Sequence, residues 1–126
     1  MTSERVLRVL VVDDVAMNRD IAGAFLRACG YDVAYAEGGA EAVAAVAAAD
    51  FDVVLMDVRM PDVDGLEATR RIRLLNDKRG QVPILAVTGQ ALHDQIETCR
   101  RAGMGGHISK PFTPDTLRNA IVLAVG

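Results

Sequence analysis

The chain has 126 residues, enough for one domain spanning 1–126, and its 51% apolar content can fill one continuous core, while a net charge of -3 with scattered arginines excludes a basic footprint for direct nucleic-acid binding. No apolar stretch approaches the ~20 residues that span a bilayer, and the N-terminus lacks a signal-peptide layout, so a soluble, cytoplasmic protein without membrane insertion is expected. With 4% aromatics and no tryptophan there is no stacking platform for bases or flavins, and Cys29 and Cys99 lack metal or disulfide spacing and read as small core residues.

Val6 to Val12 is an apolar run broken only by Arg8, and it reads as a first strand ending at Asp13-Asp14. From Met17 the period turns helical, with Met17, Ile21, Ala24, Phe25 and Ala28 on one stripe and Gly30 placed to end it. Asp32 to Ala36 is a short strand. Gly38 to Ala48 is an alanine-rich helix with Ala42, Val43, Val46 and Ala47 inward. Val53 to Met56 is apolar without alternation, the pattern of a strand covered on both faces, and it closes at Asp57. Met60-Pro61 and Asp64-Gly65 then force a turn.

Leu66, Thr69, Ile72 and Leu75 follow at helical spacing, with Arg70, Arg71 and Arg73 projecting mostly outward. Asn76 to Gln81 is a polar loop. Pro83 to Val87 is a fourth strand, ending at Thr88. Leu92, Gln95, Ile96, Cys99 and Ala102 outline a helix closed by Gly103, His107 to Ser109 is a short fifth strand, and Lys110-Pro111 ends it. A last helix begins at Thr113 or Pro114, with Leu117, Ala120, Ile121 and Ala124 inward. Five repeats of strand then helix predict an α/β doubly wound parallel sheet.

If the strands run parallel, Asp13, Asp14, Asp57, Thr88 and Lys110 all fall at carboxyl ends, where open sheets of this kind bind ligands. Three carboxylates pressed together repel unless a cation joins them, and oxygen ligands suit Mg²⁺. Lys110 supplies a point charge and Thr88 a hydroxyl donor, the complements needed by the oxygens of a transferred phosphoryl group. One carboxylate is left as nucleophile, able to form an acyl phosphate, and Asp57 stands alone on the middle strand for that role. Singly, each residue reads as readily as a turn former or a solvated side chain.

VVDD, LMDVRMPDVDG, AVTG and ISKPF occur in this order at the strand ends. Together they resemble the receiver domain of two-component response regulators, over essentially the whole chain. The resemblance implies a flavodoxin-like fold of five strands in the order 2-1-3-4-5 with five helices. It implies that Asp57 accepts a phosphoryl group from a histidine kinase or histidine phosphotransfer protein, with Asp13, Asp14, Asp57 and the carbonyl of Arg59 around Mg²⁺. Thr88 and Lys110 then grip the phosphoryl oxygens, and Lys110-Pro111 is similar to the family's cis bond. Such a domain catalyses its own phosphorylation and slow dephosphorylation rather than turnover of small substrates.

The family signals when Thr88 moves toward the phosphoryl group and an aromatic side chain on the fifth strand follows. That position here is His107, smaller and pH-sensitive, and an unspecialised strand residue is an equal reading. Arg59 and Gln90 occupy places where the family tunes phosphate lifetime. GLEATRRIR and TGQALHDQIETCRRAGMGGHISKPF are most similar to receivers of hybrid histidine kinases, with output through a downstream protein partner or a domain of the same chain. Gln90 to Val122 is then the docking surface, with Leu92, His93, Ile96 or Met104 as candidates. The alternatives are a degenerate receiver that binds partners without phosphorylation, an aspartate-nucleophile phosphohydrolase, and a flavodoxin-type electron carrier. The hydrolase wants a second acid where Arg59 stands, and the carrier wants a hydroxyl-rich phosphate loop in place of VVDDVAMN.

Overall fold

Aliphatic runs without alternation become the inner strands of the sheet. In the computed structural model, which describes residues 6–89 and 93–125, these are β1 (Arg8–Val12), β3 (Val53–Asp57) and β4 (Ile84–Thr88), buried nearly end to end. β2 (Asp32–Ala36) and β5 (Gly106–Ser109) form the edges. Every pairing is parallel and the order is β2-β1-β3-β4-β5, as the sequence led us to expect. Five helices alternate with the strands: α1 (Ala16–Ala28), α2 (Gly39–Ala48), α3 (Gly65–Arg73), α4 (His93–Ala102) and α5 (Pro114–Val125). The polar loop before β4 contains a 3₁₀ turn at Lys78–Gln81.

Because side chains alternate along a strand, the sheet divides the interior into two cores. Val54 and Met56 of β3 pack with Ala42, Val46, Ala68, Ile72 and Cys99 of α2, α3 and α4. Val53 and Leu55 pack with Ala22, Leu26, Leu117 and Ile121 of α1 and α5 on the other face. Both cores are aliphatic. No helix among the described residues is long and apolar enough to cross a membrane.

Several expectations are corrected. β1 starts at Arg8, leaving Val6 58% exposed, and β4 starts at Ile84 because Pro83 has no N–H for the ladder, although its carbonyl accepts from the Val54 N–H at 2.9 Å. β5 gains Gly106. α1 is rotated from its expected phase: Ala22, Gly23 and Leu26 are buried, Phe25 is half-buried, and Met17, Ile21, Ala24 and Ala28 are exposed. The cause is close packing on β2, since a Cβ on Gly23 would collide with the Tyr35 ring and hydroxyl. Small residues therefore take the inner face, and Met17 is left 70% exposed. Ala47 of α2 likewise faces solvent rather than the core.

Arg73 does not project outward. It is half-buried and donates to the carbonyls of Gly103 (3.1 and 2.7 Å), Gly80 (2.8 Å) and Val82 (2.7 Å), and burial lowers its pKa. Cys99 is a core residue, whereas Cys29, at the C-cap of α1, is only half-buried. Of the docking candidates, Met104 is buried and Ile96 half-buried, while Leu92 and the side chain of His93 lie outside the described residues.

Candidate functional site

The parallel sheet delivers its carboxyl ends to one rim, and hydrogen bonds between neighbouring ends hold the site residues in place. Asp57 is the last residue of β3 and 6% exposed. Asp13 follows β1, buried, with its N–H donating to the Ala36 carbonyl at 3.2 Å. Thr88 ends β4, and its carbonyl accepts from the Lys110 N–H at 2.8 Å, so hydroxyl and lysine leave adjacent strand ends. The Lys110-Pro111 peptide bond is cis. The loop after Asp57 returns tightly: the Gly65 N–H donates to the Val58 carbonyl at 3.0 Å, and a Cβ at Gly65 would strike the Asp57 carbonyl. Asp64 caps α3 by accepting from the Glu67 N–H at 2.9 Å.

The structure brings together the residues that the motifs singled out. Carboxylate oxygens of Asp13, Asp14 and Asp57 all lie within 4.8 Å of one another. Lys110 Nζ is 3.3 Å from Asp13 Oδ2 and 3.6 Å from Asp57 Oδ1, bridging the two buried acids. The Arg59 N–H donates to Asp57 Oδ1 at 3.3 Å while its side chain is exposed. Burial above all, then the charge of Asp13 and more weakly that of Asp14, push the Asp57 carboxyl up to about 6 against the opposing pull of Lys110 and the Arg59 N–H. Two buried acids thus share one lysine, with a third acid, Asp14, beside them. Hard oxygen donors with excess negative charge and one exposed member, Asp14, suit a divalent cation.

Other predicted residues stand further off. His107 is exposed on β5, paired in register with Ala86, and lines a groove of about 320 Å³ with Leu85, Ala120 and Leu123. Gln90 lies outside the described residues. Pro111 lies beside Asn18, Ile21 and Phe112 in a groove of about 310 Å³.

Three supporting residues were missed in the sequence. The Asn18 amide donates to Asp13 Oδ1 at 3.5 Å alongside the Val15 N–H at 2.9 Å, and Arg19 Nη1 donates to the Asp13 carbonyl at 2.7 Å. Their polar side chains within the first turns of α1, just after an acidic pair, were the available signal. Gln95 on α4 is the third, with Oε1 3.5 Å from Thr88 Oγ1. Its place in the predicted helical stripe with Leu92, Ile96, Cys99 and Ala102 carries no sign of that contact.

A family profile described as the response regulator receiver domain matches residues 9–122. Among curated proteins, the chain is 37% identical to Sensor protein GacS of Pseudomonas syringae pv. syringae, over 98% of this chain and 14% of that protein. It is 35% identical to Sensor histidine kinase RcsC of Escherichia coli (strain K12), over 93% of this chain and 12% of that protein. The chain therefore spans only a small part of the curated relatives it matches. Among solved structures, the receiver domain of sensor histidine kinase PA1611 from Pseudomonas aeruginosa PAO1, which has a magnesium ion coordinated in its active site cleft, superimposes with a TM-score of 0.88. The two are 36% identical, with 97% of this chain and 99% of that chain covered. The chemotaxis protein CheY4 of Vibrio cholerae gives a TM-score of 0.89 at 31% identity, covering 95% of this chain and 99% of that one.

Proposed function

The chain belongs to the response regulator receiver family, and we propose that it acts in a phosphorelay by taking a phosphoryl group from a phosphohistidine onto Asp57. The observation that carries the reading is the buried Asp57 carboxylate, alone at the end of β3, with Lys110 Nζ 3.6 Å away and two further acids beside it. An oxygen of Asp57 attacks phosphorus, the new O–P bond forms as the P–N bond breaks, and the imidazole leaves with the electron pair. Lys110 holds one phosphoryl oxygen by charge and the Thr88 hydroxyl donates to another, so positioning and charge neutralisation do most of the work. Mg²⁺, held by Asp13, Asp14, Asp57 and the carbonyl of Arg59, would offset the charge gathered on the phosphoryl oxygens. Water later attacks the same phosphorus, the Asp57 O–P bond breaks, and inorganic phosphate leaves with the Asp57 carboxylate restored.

The donor is a histidine kinase or a histidine phosphotransfer protein. Support for its approach comes from the start of α1, where Val15, Met17 and Ile21 are exposed apolar residues, Ile21 lining a groove with Pro111 and Phe112 beside Lys110. Such a surface fits the apolar side of a partner that must bring an imidazole to Asp57. Two free thiols suit a reducing, cytoplasmic setting. Output passes to a downstream protein or to a domain of the same chain.

Incubation with acetyl phosphate and Mg²⁺, read by intact-protein mass spectrometry, tests the reading. A single added phosphate that disappears in Asp57→Asn is the expected result. Its absence from the unsubstituted protein would favour the binding-only alternative.

A further inference from the structure

We propose that Gln95 is a positioning residue that engages the Thr88 hydroxyl in the resting protein and so opposes phosphorylation of Asp57. The inference rests on the reading of Asp57 as phosphoacceptor. Thr88 is 5% exposed at the end of β4, and its Oγ1 lies 3.5 Å from Oε1 of Gln95, a half-buried residue near the start of α4. A carboxamide oxygen can only accept, so the proton in this contact belongs to Thr88. That hydroxyl carries one proton. Donation to Gln95 and donation to a phosphoryl oxygen on Asp57 therefore exclude each other.

The consequence is a linkage. A contact present in one state and absent from the other shifts the equilibrium by its own free energy and no more. At 3.5 Å the bond is long, so its effect is small, roughly threefold. Gln95 also borders, with Val58, Arg59, Met60, Pro61 and Asp64, a groove of about 460 Å³ between the loop after Asp57 and α4. Its side chain has room to move there once Thr88 lets go. The same contact ties the end of β4 to α4, so release of Thr88 loosens α4 at its first turns.

The test is a titration of the 126-residue chain with beryllofluoride, a phosphoryl mimic, in the presence of Mg²⁺, followed by amide chemical shifts in NMR. Gln95→Met, which keeps length but removes the acceptor, is expected to lower the half-saturating concentration roughly threefold. Gln95→Leu should act in the same direction, and Gln95→Glu, which retains an acceptor, should not lower it. In a Thr88→Val background, where binding is weaker, Gln95→Met is expected to change nothing further. Unchanged or weaker binding in both Gln95→Met and Gln95→Leu overturns the proposal, as does an equal gain in the Thr88→Val background. Failure of the unsubstituted protein to bind beryllofluoride or take phosphate would instead overturn the phosphoacceptor reading, and the proposal with it.

Discussion

Asp57 sits where its charge is least welcome, and that cost can be measured apart from any phosphoryl chemistry. Its pKa in the folded protein is about 6 against an ordinary 3.8, so the native state binds the proton more tightly than the unfolded chain. Ionised Asp57 therefore destabilises the fold in full above about 6, and the penalty fades as pH falls toward 3.8. Asp57→Asn, without divalent cations, should raise unfolding free energy on the order of 2 kcal/mol at neutral pH, with the gain disappearing below the ordinary carboxylate range. Urea unfolding at several pH values checks this; an equal gain at all pH values would mean that packing, not charge, is responsible. The rim acids, Thr88 and Lys110 were legible in the sequence because a parallel strand announces its own end, and open parallel sheets bind ligands beyond those ends. Asn18, Arg19 and Gln95 were not legible. Asn18 and Arg19 reach Asp13 from the first turns of α1, where a polar side chain reads equally as solvated, and the contact of Gln95 with Thr88 depends on how α4 packs over the end of β4.

At the scale of elements, apolar periodicity encodes helix phase poorly. The stripe rule assigns large apolar residues to the core, but α1 buries Ala22 and Gly23 against β2 and turns Met17 and Ile21 outward. Arg73 failed for a related reason, since its partners are backbone carbonyls up to 30 residues away. Arg73→Met should cost roughly 2–4 kcal/mol by stranding those carbonyls, and Arg73→Lys should recover only part, because an ammonium lacks the planar fork. Thermal and urea unfolding measure both. Gly65→Ala should cost more than about 2 kcal/mol, because the added carbon meets the Asp57 carbonyl rather than a flexible side chain. If Asp57 is the phosphoacceptor, as proposed, the substitution should also slow phosphorylation by acetyl phosphate, since the strand end carrying Asp57 must shift. Retention of the unsubstituted rate would show that the loop yields instead.

For the whole molecule, unbroken apolar runs and their alternation with helical segments made the layered architecture legible, while the strand order came with the family resemblance. Neither disclosed the independence of the two cores, which follows from the sheet lying between them. Val46→Ala on one side and Ile121→Val on the other should each destabilise by roughly 1–2 kcal/mol. Their double variant should equal the sum within about 0.5 kcal/mol, since the sites share no neighbours. A coupling larger than that in denaturant unfolding would mean that the sheet transmits strain between its faces. Arg73 adds a polarity to this frame. Its guanidinium gathers Gly80, Val82 and Gly103, which all lie just before the starts of β4 and β5, at the end of the sheet opposite Asp57. One end of the molecule is thus laced by a half-buried cation, whereas the other is a rim of mutually repelling acids. Amide protons donating at the laced end, such as Gly105 to the Ile84 carbonyl, should exchange with deuterium more slowly than the Arg59 amide at the rim, so the domain opens from its acidic rim first.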